Sequence, residues 1–188
     1  MRKLFILCAF LLQLLSPVYP QQATTATIEP NLKYGKPSKE ALSLTSYAPD
    51  TTATAIYLFH QGQSDFIYHD GFQLTTEHWV RIKILKPQGV SYADVSVPYY
   101  SPTDKDEGQE RASEIEGCSY NMENGKCIKT PMKRESISFE RFNNLYKILK
   151  FSLPAVKEGT IIEYHYKLYS DYFSHIDNWM MHARLHND

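Results

Sequence analysis

Cysteine is scarce in this chain of 188 residues: there are three, and Cys8 lies inside the apolar opening segment. Glycine is sparse too, with eight residues, and none are spaced as a phosphate-cradling loop or a dinucleotide fingerprint. There is no nucleophile elbow of the kind that exposes a serine on a strand-to-helix turn. After the opening segment no apolar run approaches the roughly 20 residues that a membrane-spanning helix needs. Positive charge is not in excess, with 20 basic against 21 acidic side chains. Nucleic acid is therefore not an expected partner, because its binders need a basic patch to displace counterions from phosphates.

What the chain does have begins at its first residues. Arg2 and Lys3 precede an apolar run over residues 4–15, broken only by Gln13, and a Thr- and Gln-rich stretch follows from Gln21. This is the layout of a secretory signal peptide, assigned to residues 1–20. The run is about a dozen residues long, too short to cross a hydrocarbon core of roughly 30 Å as a helix. Val18, Tyr19 and Pro20 mark a cleavage point poorly, which places it between Ser16 and Ala23. Cys8 sits behind the bulky Leu7 within the apolar run and is not read as a lipidation site. Export to the periplasm or the cell surface is the expectation. The remainder holds 18 basic and 21 acidic groups, a net charge near −3.

Residues 21–50, rich in Thr, Ser and Pro, read as a linker or N-terminal arm, with one helical turn over residues 38–44 capped by Ser38. Residues 51–188 read as one β-rich domain. Strands are expected over residues 55–60 and 66–69, separated at Gly62, and over residues 72–85 after the Asp70-Gly71 turn. In that last segment Leu74, Thr76, His78, Val80, Ile82 and Ile84 share one face. Thr75, Glu77, Trp79, Arg81 and Lys83 share the other, the pattern of one buried and one wet face. Further strands are expected over residues 93–97, with Pro98 at an end or edge, then 136–142, 145–153 and 160–168. In the last of these Ile162, Tyr164, Tyr166 and Leu168 oppose Glu163, His165 and Lys167. About eight short strands with turn chemistry between them indicate a mainly β fold, an antiparallel sandwich-like domain. The chain has 14 tyrosines, in keeping with strands.

Asn124-Gly125 is a strong signal for a two-residue hairpin, since both central positions of a type I′ turn need positive φ. That register sets Glu123 opposite Lys126, Met122 opposite Cys127 and Cys118 opposite Pro131. The cysteines then stand roughly 13 Å apart at about 3.3 Å per residue, whereas a disulfide needs Cα atoms within about 7 Å. A Cys118–Cys127 disulfide is thus not expected.

Chemistry is hard to find. The seven histidines, at 60, 69, 78, 165, 175, 182 and 186, contain no zinc-finger spacing. His182 and His186 are four apart but lack the glutamate context of a helical metal pair. Asp104, Asp106 and Glu107 in the charged loop over residues 101–109 do not supply the ligand set of an organised calcium loop. No catalytic residue, metal or cofactor is assigned. Aromatic side chains carry the one binding signal: Tyr99 and Tyr100 beside Pro98, with Tyr169, Tyr172, Phe173 and Trp179, are a candidate platform for a glycan or a peptide.

Several segments together resemble a known family. They are Asp70-Gly71-Phe72 running into His78-Trp79-Val80-Arg81-Ile82-Lys83, Tyr92-Ala93-Asp94-Val95, the hairpin Tyr120 to Lys126, and Phe151-Ser152-Leu153-Pro154 through Gly159-Thr160-Ile161-Ile162-Glu163-Tyr164. In this order they are similar to the uncharacterised β-rich domain at the N-terminus of exported bacterial transglutaminase-like proteins, over residues 35–180. The resemblance implies a non-catalytic accessory or interaction module preceding a papain-like core with a Cys-His-Asp triad, a core absent from this chain. It also implies further strands after residues 177–179, so the domain is expected to lack its last strands. A stand-alone carbohydrate- or peptide-binding module is the alternative, and a small Cys or Ser hydrolase a third.

Overall fold

The computed structural model describes residues 33–68, 71–103, 108–172 and 184–185. Residues 1–32, His69, Asp70, the acidic loop residues 104–107, Phe173, His175, Trp179, His182 and His186 lie outside the described residues. Sequence alternation becomes a long antiparallel hairpin of β1 (Ala55–Tyr68) and β2 (Phe72–Ile84). A 3-10 segment at Pro87–Ala93 leads to β3 (Asp94–Tyr100). Then follow β4 (Glu110–Glu123), β5 (Lys126–Pro131), β6 (Ile137–Arg141), β7 (Tyr146–Ser152), β8 (Ile161–Ser170) and the two-residue β9 (Arg184–Leu185). The helix α1 (Lys39–Ser43) is one turn long and starts at Ser38, whose hydroxyl accepts a hydrogen bond from the Ala41 amide.

Two antiparallel sheets result. The larger has the order β5-β4-β8-β2-β1-β9 and the smaller β3-β7-β6. They pack face to face, as the alternation requires. Val80, Ile82 and Ile84 from β2, with Ile162, Tyr164, Tyr166 and Leu168 from β8, meet Tyr99, Leu149 and Phe151 of the smaller sheet in one core. Gly117 permits that approach: a Cβ there would stand 2.6 Å from Leu153 Cδ1. Pro98 lies within β3, at the edge of its sheet, where a missing amide costs no ladder bond.

The Asn-Gly hairpin has the expected register, with Glu123 opposite Lys126, Met122 opposite Cys127 and Cys118 opposite Pro131. Asn124 and Gly125 have φ of 49° and 75°, the type I′ signature. Both thiols are free, Cys118 buried and Cys127 exposed.

Two expectations are corrected. Gly62 does not interrupt the first strand; it pairs with His78 and β1 runs through it, because the long β2 supplies partners to its end. The polar face of β2 is not wet along its whole length either: Arg81 is 0% and Lys83 1% exposed. What covers them is the arm. Residues 33–50 lie across the outer face of the larger sheet. There Ala41, with Leu42, Leu44 and Tyr47, joins Ile56, Leu58, Leu85, Cys118, Tyr120 and Ile161 in a second apolar cluster. The molecule therefore has three layers: small sheet, large sheet, arm.

Candidate functional site

The outer face of the larger sheet is a grid set by strand register. Phe59, Arg81, Glu163 and Cys118 form one row across β1, β2, β8 and β4. The next row is Gln61, Trp79, His165 and Glu116, then Gln63, Glu77, Lys167 and Ser113, then Asp65, Thr75, Tyr169 and Arg111. Two irregularities place these side chains together. β1 shifts register between Tyr57 and Phe59, so Leu58 and Phe59 both turn outward and the odd-numbered residues after them follow. β4 shifts between Ser113 and Glu116, where Glu114 has φ of 53°. Such bulges re-aim every side chain that follows.

The first row is shut beneath the arm. Arg81 Nε and Nη2 donate to Glu163 Oε1 at 3.0 and 2.6 Å. The other oxygen, Oε2, accepts from Tyr120 Oη at 2.8 Å and from the Gly35 amide at 2.9 Å. Arg81 Nη2 also donates to the Lys33 carbonyl at 2.8 Å, and the guanidinium lies 4.6 Å from the Phe59 ring centroid. Beside it Lys83 Nζ donates to the carbonyls of Leu42 at 2.8 Å and Gly159 at 2.6 Å. Burial lowers the Lys83 ammonium to about 8. Burial above all, then Cys118 and Glu163, pushes the Tyr120 phenol far up. These polar groups bind the arm to the sheet. They are satisfied internally, as buried charges must be.

Among the described residues the remaining rows are half-buried to exposed except at Thr75. Trp79 is half-buried and its indole stacks on the His165 ring, with centroids 5.0 Å apart and planes 24° apart. Tyr34 from the arm meets His165 edge-on at 6.3 Å. His165 Nε2 is 3.4 Å from Glu77 Oε2, and Lys167 Nζ is 2.8 Å from Glu77 Oε1. The Lys167 bond, ahead of the other contacts, holds the Glu77 carboxyl below its ordinary range. Tyr169 donates to Glu114 Oε1 at 2.8 Å, with Arg111 and Lys167 over its ring. Tyr34, Phe59, Gln61, Gln63 and Trp79 line a cavity of about 240 Å³. A larger groove of about 680 Å³ runs beside β4 and the β5–β6 connection, past Tyr34, Glu114, Met132, Arg134 and Phe139.

On the inner face His78 stacks on Tyr166, with centroids 4.6 Å apart and planes 11° apart. Burial, followed by the charges of His60 and His165, lowers the His78 imidazole to about 4. Among the described residues no three His, Cys, Asp or Glu side chains are grouped to hold a metal ion.

The aromatic residues singled out in the sequence do not form one platform. Tyr99 is buried between the sheets. Tyr100 and Tyr172 do meet, 5.5 Å apart, joined by Tyr146 at 5.6 Å from Tyr100. With Glu110 they line a shallow cavity of about 320 Å³. Tyr169 lies on the outer face of the other sheet, and Trp179 lies outside the described residues. The reason is strand alternation: Tyr99 and Tyr100 are adjacent and so point to opposite faces. Tyr34, Phe59, Gln61 and Gln63 escaped the sequence reading because a bulge and an arm bring them to Trp79. The alternation that put Trp79 on the polar face was the available signal.

A family model described as a domain of unknown function with a solved structure, DUF3857, matches residues 70–185. The chain belongs to that family. The DUF3857 match takes in Trp79, Arg81, Glu163 and His165, whereas Tyr34, Phe59, Gln61 and Gln63 precede it. No curated protein matches the chain. A crystal structure of a "putative protease" from Parabacteroides distasonis is similar at a TM-score of 0.44 and 10% identity, over 63% of this chain and 23% of that one. This chain thus spans about a quarter of that protein's length, and so distant a likeness carries neither fold nor activity across.

Proposed function

We propose that this DUF3857 chain is an exported, non-catalytic accessory domain that works beside a papain-like transglutaminase core and uses the open rows of its large sheet as a contact surface. The observation that carries the reading is the division of that sheet face. Its strongest charged groups, Arg81, Lys83 and Glu163, are bound to the arm's main chain and to each other. Among the described residues the other rows present Gln61 exposed and Trp79 and Tyr169 half-buried. The first half supports a structural role for groups that would otherwise serve acid–base chemistry; the second supports recognition. Among the described residues no helix is long and apolar enough to cross a membrane. The layout of residues 1–20 supports export to the periplasm or cell surface.

The test is the genomic DNA downstream of the codon for Asp188, followed by association of the two purified parts. A Cys-His-Asp core in that DNA, binding this domain in solution, is the expected result. A downstream region without one would sink the accessory role. The alternative, a stand-alone carbohydrate- or peptide-binding module, is favoured by the cavity at Trp79.

A further inference from the structure

We infer that the cavity between Tyr34 and Trp79 is a binding site for a neutral glycan, one pyranose ring of which seats against the indole. The inference rests on the reading of the open sheet rows as a contact surface and names what that surface takes. All five lining residues, Tyr34, Phe59, Gln61, Gln63 and Trp79, are uncharged. Three are aromatic, and rigid aromatic rings offer large apolar area at low entropic cost, which suits the C–H face of a sugar. Two are glutamines, whose side-chain amides each carry acceptors and two donors and so match paired hydroxyls.

The arrangement is held in place before any ligand arrives. His165 stacks on the Trp79 indole and is itself held at Glu77, which Lys167 engages on its other oxygen. Phe59, 7% exposed, is wedged against the Arg81 guanidinium. Gln63 Nε2 donates to Asp65 Oδ2 at 2.8 Å, which orients the amide. Tyr34 stands in position because Gly35, its neighbour, is bonded to Glu163. A site preorganised in this way spends little binding energy on ordering its own side chains. Charge argues for a neutral ligand: beside the cavity Glu77 with Lys167 and Arg81 with Glu163 are engaged with each other, and the Asp65 carboxylate accepts from Gln63.

The experiment uses the Trp179→Phe chain, in which Trp79 is the sole tryptophan. Its fluorescence is followed while cellopentaose, maltopentaose, xylopentaose and chitopentaose are added in turn. Saturable change with at least one of them at millimolar concentration is expected, and a roughly tenfold rise in salt should leave it unaltered. Gln61→Ala combined with Gln63→Ala, both exposed, should weaken binding about tenfold with the melting temperature unchanged. Arg111→Ala, two rows away, should have no effect. The inference fails if none of the four sugars alters the emission. It fails equally if the double variant binds as tightly as the parent, or if binding collapses in salt. These outcomes separate from the accessory reading. A double variant that loses sugar but still associates with its core leaves that reading intact, and sugar binding without association leaves only the inference.

Discussion

Protonating His78 would place a charge on a buried ring stacked against Tyr166, and burial opposes it. The folded-state value of about 4 lies below the ordinary imidazole value of about 6.5. The unfolded chain therefore binds the proton more readily between those values. The resulting stability is fully present above pH about 6.5 and is lost as pH falls toward 4, by roughly 3 kcal/mol at most. Urea denaturation at steps across that window should show the decline, and His78→Phe, which keeps a ring against Tyr166, should flatten it. Glu163→Gln is expected to be more damaging at neutral pH, costing about 3–5 kcal/mol, because it leaves the Arg81 guanidinium buried without its counter-charge. A midpoint shift in the same assay measures it; a change under about 1 kcal/mol would mean the pair is not the tie described. Neither residue was conspicuous in the sequence. Arg81, Lys83 and Glu163 occupy alternate positions that read as solvent-facing, and the chain covering them is itself polar, so no hydrophobic signal announces the burial.

Elements were more legible than residues. The Asn124-Gly125 turn fixed the register of β4 on β5, since few other dipeptides accept two positive φ values. That register has a chemical consequence. In the chain without residues 1–20, a thiol reagent should modify Cys127 at once and Cys118 only on unfolding, giving one fast equivalent and one slow. Two fast equivalents would contradict the buried position of Cys118. The alternation of β2 and β8 was readable for a similar reason: both are long and their core face is unbroken. In the sequence β1 reads as two pieces, whereas the strand is continuous. Its bulge after Tyr57 switches which parity faces the core, so no single period runs through it, and Gly62 falls where a breaker is usually inferred. The same switch hid Gln61 and Gln63 as partners of Trp79.

At the scale of the whole molecule, the two-sheet architecture followed from strand count and turn chemistry, but the third layer did not. A Thr-, Ser- and Pro-rich segment ordinarily connects domains; here its second half closes an apolar cluster around Ile56, Leu58, Tyr120 and Ile161. Removing residues 33–50 should expose that cluster and unseat the Arg81–Glu163 pair. Loss of several kcal/mol and binding of a hydrophobic dye are the expected readouts, and a truncated chain that melts like the parent would refute the layer's role.

The arm is gripped by its main chain. Lys33 and Leu42 offer carbonyl oxygens and Gly35 an amide, while the discriminating side chains all belong to the sheet. These bonds are strict about spacing, while the arm's composition is fixed only where Gly35 holds a φ of 83°, where Tyr34 meets His165 and where Ala41, Leu42, Leu44 and Tyr47 pack in the apolar cluster. Exchanging the exposed side chains of Lys33, Lys36 or Lys39 leaves every one of these bonds available. Inserting a single residue between Gly35 and Leu42 puts the two anchor points out of step, and no side chain on the arm can restore the match. Single exchanges at those lysines should therefore leave the melting temperature within a degree or two, whereas the one-residue insertion should lower it by several degrees. Over long divergence, the segment would be free to change its exposed letters but not its length.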